Sequence, residues 1–216
     1  NFIFPEKKDL NHTISNSSVF GLAEVSSTNN TLTFESPNNA DFQVTVSKDS
    51  LNSDDARFKL SSAGGIIIAL ESTTFKEVYK NSRWNLSVKV EKSADNKFVS
   101  SSLGHKIVFS GYNYILDNLQ GSFVLSSSLT PAEYEGFNTA NKTFFIGAQR
   151  TNVTGAVLNQ TDVKVIDFNA WSDGLSEEEL QIRSKAPTVT GRNTSHMYQD
   201  RYSNKSKLSD QTLVAS

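Results

Sequence analysis

The chain has 216 residues, which is enough for one domain with a sizeable core or for one domain and a tail. Its formal net charge of −2 gives no electrostatic footprint for a polyanion, so nucleic acid is not an expected partner. The chain contains no cysteine, which excludes disulfides, zinc–thiolate sites and cysteine nucleophiles. The lack of disulfides favours a microbial or viral source. No apolar run reaches the roughly 18 residues that a membrane span needs.

Short segments with β-strand character follow one another along the chain, separated by clusters of Ser, Asn, Asp and Gly. The clearest is 84–90 (W-N-L-S-V-K-V), because its four apolar residues all fall on one face. The other predicted strands are 31–34, 42–46, 57–60, 66–70, 106–109, 122–125, 143–146 and 163–168. About ten strands at this spacing predict an all-β fold in which two antiparallel sheets pack face to face.

One short helix is predicted near the C-terminal end of this strand-rich region. Ser176 and Glu179 have the spacing of a capping box, and acidic residues are favourable in the first helical turn. Pro187 ends the helix. From Thr188 onward the sequence is polar and without period, which is typical of a linker or of an extended arm that becomes ordered against a partner.

Four segments, taken in order, resemble the laminin-G-like branch of the concanavalin A-like lectin/glucanase superfamily. They are 82–88 (S-R-W-N-L-S-V), 107–111 (I-V-F-S-G), 144–148 (F-F-I-G-A) and 171–180 (W-S-D-G-L-S-E-E-E-L). The resemblance spans roughly residues 31–185 and implies a jelly-roll sandwich. It departs from the family at Ala148, where the family has a second Gly. It also departs at Asp167, which lies one place from the family's Asp.

This resemblance divides the chain into three parts. Residues 1–30 match nothing in the family and are expected to be an N-terminal extension or linker strand. Residues 31–187 are expected to form the laminin-G-like sandwich, and residues 188–216 a polar arm leading to a following domain. The chain as a whole is expected to be cut from a larger surface, fibre or virion protein.

The sequence favours a non-catalytic role. The superfamily that the chain resembles includes glycoside hydrolases. These enzymes carry Glu-x-Asp-x-Glu on one strand, which places two carboxylates on the same side of that strand. No such string occurs here, and the run Glu177-Glu178-Glu179 is better interpreted as the solvated start of a helix. There is also no Gly-x-Ser-x-Gly, no phosphate-binding glycine loop, and no metal-like spacing among the three histidines. A glucanase-like hydrolase is therefore the least favoured function for this chain.

A tentative ligand-binding site lies in one short segment. Tyr112, Asn113 and Tyr114, followed by Asp117 and Asn118, place aromatic faces beside amides and a carboxylate, the combination that sugars require. The alternative, which we favour, is a strand edge where the tyrosine rings are buried and only their hydroxyls reach water.

Calcium is the one cofactor that the resemblance implies, because many laminin-G-like domains hold an ion at a sandwich edge. Ca²⁺ takes six to eight oxygen ligands. Asp41, Asp162 and Asp173 are the tentative metal ligands, with Asp117 and Asn118 as further candidates. All of them lie at predicted strand ends. The favoured alternative is that they are ordinary turn formers, and that the chain holds no cofactor.

The sequence also gives expectations for the positions of two tryptophans and one sequon. Trp84 and Trp171 are assigned to the core, since each lies in phase with an apolar strand pattern. Asn85, in the sequon Asn-Leu-Ser, alternates outward on its strand and is a candidate for carrying a glycan.

These observations favour a non-catalytic module that mediates attachment or assembly. Its expected partners are other subunits or domains of the same assembly, at an extracellular site or on the surface of a virion or microbial cell. The alternative is a carbohydrate-binding lectin domain, with or without calcium, whose partners are cell-surface glycans.

Overall fold

The computed structural model describes residues 1–6, 14–28, 31–34, 40–62, 69–91, 105–139, 141–151, 155–171, 175–185 and 213–215. In chain order, the elements are β1 (Phe2–Phe4), β2 (Asn16–Thr28), β3 (Thr31–Phe34), β4 (Ala40–Lys48), β5 (Ala56–Ser61), β6 (Leu70–Glu71), β7 (Ser82–Glu91), β8 (His105–Ile115), β9 (Asn118–Leu129), α1 (Pro131–Thr139), β10 (Lys142–Ile146), β11 (Gln149–Arg150), β12 (Val157–Asn159), β13 (Lys164–Val165), β14 (Ala170–Trp171), α2 (Glu177–Lys185) and β15 (Leu213–Ala215).

The strands form two antiparallel sheets that enclose one core, which confirms the predicted all-β sandwich with a short helix after it. Sheet A has the order β13-β1-β7-β8-β9. Sheet B has the order β10-β2-β4-β5-β6, with β3 paired to the end of β2. Two small pairs, β11 with β12 and β14 with β15, lie outside the two sheets.

Most predicted strands lie where the period-two pattern placed them. In β5, buried and half-buried residues alternate without a break, and in β7 Trp84 and Leu86 are buried while Val88 and Val90 pack against the same core. The strand predicted over 163–168 is shorter, since only Lys164 and Val165 pair with a neighbour. Of the strand predicted over 66–70, residues 66–68 lie outside the described residues, and Leu70 belongs to β6.

The first thirty residues, predicted as an extension or linker strand, contribute to both sheets. β1 lies between β7 and β13, with Phe2 opposite both Trp84 and Val165. Phe2 and Phe4 are buried in the core. β2 lies between β10 and β4. Of the predicted C-terminal arm, the described part is β15, which pairs with β14.

The centre of the sandwich is a cluster of aromatic rings. Phe58 of sheet B is fully buried, and its ring centre lies 4.7 Å from that of Trp84, 5.4 Å from Phe123 and 5.7 Å from Phe4, all three from sheet A. Aromatic pairs at these separations contribute about 0.5–1.5 kcal/mol each beyond the area that they bury. The two sheets are therefore held face to face by rings from both sides.

The described part of the chain contains two short helices, and each begins with a capping box. At α2, the Glu179 backbone N–H donates to Ser176 Oγ (3.2 Å) and the Ser176 N–H donates to Glu179 Oε2 (2.8 Å), which confirms the predicted helix start. At α1, which we did not predict, Thr130 and Glu133 exchange the same two bonds, with Pro131 at the first helical position. The same capping-box pattern is therefore present in the sequence at the start of both helices.

Gly21 provides a test of how closely sheet B is packed. A Cβ at this position would lie 2.3 Å from Cζ of Phe145 and 2.5 Å from the carbonyl oxygen of Phe42, so strand or ring must move. We expect Gly21→Ala to lower the free energy of unfolding by about 1–3 kcal/mol in urea titrations. The matched control is Gly136→Ala in α1, where a Cβ meets no atom within 4 Å; we expect it to raise stability by up to about 1 kcal/mol. Equal effects of the two substitutions would contradict this packing.

Candidate functional site

The tyrosines of the predicted ligand segment lie beneath helix α2. Tyr112 and Tyr114 project from β8 on the face of sheet A that points away from the core, and they are 5% and 9% exposed. They pack with Leu175, Leu180 and the partly buried Trp171 in a second, smaller apolar cluster. Neither ring therefore offers a free face on which a sugar could stack.

Polar contacts hold the helix on these two rings. The Tyr112 hydroxyl donates a hydrogen bond to Glu177, and burial with this carboxylate nearby raises the pKa of Tyr112. Lys185 Nζ lies 5.2 Å from the centre of the Tyr114 ring, and Lys89 Nζ donates to the Leu175 carbonyl at 2.8 Å. The geometry gives both tyrosines a role in the helix–sheet contact, and the ligand-binding role of the segment stays a prediction.

The other three residues of that segment point elsewhere. Asn113 is 7% exposed, on the opposite face of β8 from the two tyrosines. Leu116 and Asp117 form the tight turn between β8 and β9 with φ values of 48° and 64°, as a type I′ hairpin turn requires. Asn118 Nδ2 donates to the Leu116 carbonyl at 3.3 Å. Turn formation accounts for Asp117 and Asn118, as in the alternative interpretation.

The predicted metal ligands that the structure describes are separated and paired with lysines. Asp41 Oδ2 lies 2.7 Å from Lys142 Nζ, and Asp162 Oδ2 lies 3.0 Å from Lys48 Nζ. Asp41 and Lys48 are seven positions apart on β4, or roughly 24 Å at the rise of an extended strand. Asp41 and Asp162 therefore do not meet at one site, and Asp173 lies outside the described residues. Within the described ranges, no group of three or more His, Cys, Asp or Glu side chains could hold a metal ion.

Two further expectations need correction. Trp84 is buried in the main core as predicted, but Trp171 belongs to the outer cluster under α2, where the Arg183 guanidinium carbon lies 4.9 Å from its ring centre. Asn85 lies on the outer face of β7 opposite Tyr112, yet it is only 7% exposed. Because sequence alternation reports the face and not what covers it, Asn85 is a poor glycan acceptor in the folded chain.

The C-terminal half of α2 is fixed by an ion pair between Arg183 and Asp167. Arg183 is 6% exposed, and Arg83 adds a second contact by donating to the Ser184 carbonyl at 3.0 Å. Partial burial alone would raise the pKa of Asp167. Hydrogen bonds from Arg183 and Asn169 and the guanidinium charge outweigh it, so the pKa lies below its usual value.

One lateral edge of the sandwich exposes apolar side chains, where β10 ends sheet B and β13 ends sheet A among the described strands. Phe144 and Ile146 of β10 are 42% and 44% exposed, and Val165 and Ile166 are 44% and 47% exposed. The Phe168 ring lies 5.4 Å from that of Phe144 and packs against the main core. We call these five residues the open seam. The sequence predicted a strand over 143–146 but could not show that this strand ends a sheet.

The backbone of β10 also has no strand partner on its outer side among the described strands. Val25 N–H donates to the Asn141 carbonyl (2.8 Å) and Gly147 N–H donates to the Val19 carbonyl (2.7 Å), so alternate residues beginning at Asn141 face β2. In an antiparallel pair the intervening residues point their N–H and C=O groups the other way. The backbone groups of Phe144 and Ile146 are therefore directed away from β2, at the edge of the sheet.

The Asp167–Arg183 pair makes stability depend on acid pH. Because the pKa of Asp167 is lower in the folded state, its stabilisation is complete above the unfolded value near pH 4 and is lost as the pH falls through the folded value. We expect Asp167→Asn to lose up to about 1 kcal/mol at pH 7 and to show a shallower acid decline in urea titrations. Asp117→Asn, in an exposed turn that tolerates Asn, is the control and should retain the wild-type decline. The same decline in both variants would refute the assignment.

No helix in the described part of the chain is long and apolar enough to cross a membrane.

Comparisons with known proteins add no assignment. No family model, no curated protein and no solved structure matches the chain.

Proposed function

We propose that this chain is a non-catalytic assembly module of a larger surface, fibre or virion protein, and that it contacts neighbouring copies through the open seam. The observation that carries the proposal is the exposure of 42–47% for four large apolar side chains along one sandwich edge. Exposed apolar patches on soluble proteins mark interaction sites, because their burial against a partner removes apolar area from water.

Several features support an interface at this edge. The seam combines apolar side chains with the outer edge of β10, which pairs with no other described strand there, so that a partner strand gains both apolar burial and main-chain hydrogen bonds. The formal net charge of −2 imposes little repulsion between copies. In contrast, the outer face of β8, which carries the candidate ligand residues Tyr112 and Tyr114, is covered by α2.

The proposal retains the laminin-G-like family. Its supporting features are the order of the strands that carry the family-like segments and the glycine that follows β10. Gly147 has a φ of 84°, a conformation that side chains other than glycine rarely adopt, which explains a glycine after F-F-I. The Ser176 capping box begins a helix directly after the Trp171 segment, as in the family-like motif.

The seam can be tested by measuring self-association. We expect sedimentation velocity of the wild-type chain to show concentration-dependent association. The double substitution Phe144→Ser and Ile146→Thr should weaken it at least about tenfold, or ~1.4 kcal/mol. The matched control is Leu119→Thr with Val124→Thr on β9, where the side chains are 50% and 52% exposed, and it should associate like the wild type.

A second substitution shows whether weaker association reflects the loss of the seam or a folding defect. Val165→Thr lies on β13, across the seam from β10, and should weaken association in the same direction. Urea titrations check that each variant remains folded. A wild-type chain that stays monomeric at all concentrations, or equal weakening by the seam and β9 variants, would overturn the proposal.

A further inference from the structure

A lysine and an aspartate meet in a closed site at the end of β4. The side chains of Lys48 and Asp162 are 0% and 6% exposed, and Lys48 Nζ lies 3.0 Å from Asp162 Oδ2. The Lys48 ammonium also lies 4.1 Å from the centre of the Tyr79 ring. Removing two charged side chains from water costs desolvation free energy. A neutral covalent linkage between them would abolish this cost.

The other carboxylate oxygen accepts a hydrogen bond from a tyrosine. The Tyr79 hydroxyl donates to Asp162 Oδ1 at 2.9 Å, and Tyr79 is itself fully buried. Burial and the neighbouring carboxylate raise the pKa of Tyr79, so its proton is retained at all ordinary pH values. The hydroxyl is thus a fixed donor that polarises one C–O bond of the Asp162 carboxyl group.

Both backbones that carry the pair are held in place. The Lys48 N–H donates to the Ser15 carbonyl at 2.9 Å, and the Asp162 N–H donates to Ser17 Oγ at 2.9 Å. The two reacting groups therefore approach each other from fixed supports. Such positioning corresponds to a very high effective concentration, and the exclusion of water favours condensation over hydrolysis.

We propose that Lys48 and Asp162 form an intramolecular isopeptide bond. Proton transfer within the pair gives a neutral amine and a neutral carboxylic acid. The Lys48 Nζ lone pair attacks Asp162 Cγ while the Tyr79 hydroxyl stabilises the oxyanion at Oδ1. A C–N bond forms, the bond from Cγ to Oδ2 breaks, and Oδ2 leaves as one water that carries two protons from the original ammonium. No oxidant, cofactor or second substrate is required.

A second buried pair shows which features are specific to this site. Lys142 and Asp41 are 2.7 Å apart with side chains 12% and 8% exposed, but Lys142 also lies 3.9 Å from Glu24. Among the described residues, no hydroxyl donates to Asp41 as Tyr79 donates to Asp162. We therefore expect condensation at Lys48–Asp162 and not at Lys142–Asp41, which makes Lys142 a matched control.

The cross-link would join residues that are 114 positions apart. It would connect the end of β4 in sheet B to the segment that leads into β13 in sheet A. This inference is independent of the proposed assembly role, because it concerns a bond inside one chain.

The experiment is an intact-mass measurement on the full chain after folding and complete denaturation. We expect the wild-type mass to be lower than the sequence mass by one water. Lys48→Arg should have its full sequence mass, and Lys142→Arg should keep the deficit of one water. Tyr79→Phe should accumulate the cross-linked form at least about tenfold more slowly after refolding, as expected for the loss of one oxyanion donor.

Peptide mapping separates this bond from other losses of water. A protease digest should contain one branched peptide that joins the Lys48 and Asp162 fragments. A cyclic imide at Asp173-Gly174 would also remove one water, but it leaves a linear peptide and opens in mild alkali. A wild-type chain at full mass after prolonged incubation in the folded state would overturn the proposal, as would a deficit that survives Lys48→Arg. The mass and the peptide map of the wild-type chain are sufficient to decide whether the bond forms. The proposal can therefore be overturned even if a variant fails to fold.

Discussion

The contact on which the rest of this structure depends is the one between Phe58 and the rings of the opposite sheet. Phe58 lies on a strand of sheet B and touches Trp84, Phe123 and Phe4 of sheet A. Sheets of a sandwich have no hydrogen bonds to each other, so side-chain packing alone sets their separation and angle. With one Met and 14 Phe, the chain fills this interface with flat, rigid rings, which fit in few arrangements.

The apolar side chains outside the ring cluster differ in what covers them. Rings fill the middle of the sandwich, and at the lateral edge between β10 and β13 Phe144, Ile146 and Val165 retain over two fifths of their surface. On the far side of sheet A, α2 covers the tyrosines and is held by the Arg183–Asp167 pair. One edge is therefore open and one outer face is closed. The proposed assembly contact is therefore at the seam, and the two tyrosines serve the helix–sheet contact.

Local chemistry predicted the elements well, and long-range contacts account for what it could not predict. Period-two alternation located most strands, and the Ser176 capping box located α2, because both signals lie within a few residues. The element that covers Tyr112 could not be inferred, since it is a helix 65 positions away in sequence. Asp41 and Asp162 look like free turn carboxylates in sequence, and only the fold reveals their lysine partners. The helix α1 was predictable in principle, since Thr130-Pro131 and Glu133 carry the same start signal.

The position of β1 inside sheet A has a consequence for how the chain folds. Phe2 pairs with Trp84 on one side and with Val165 on the other, so its two neighbours are 82 and 163 positions away in sequence. Contacts of such separation form slowly, because large loops must close before any contact is gained. During synthesis on the ribosome, the apolar residues Phe2 and Phe4 therefore remain without their sheet partners while most of the chain is made. Until those partners are made, these exposed apolar side chains and the unpaired strand edge make the nascent chain prone to aggregation.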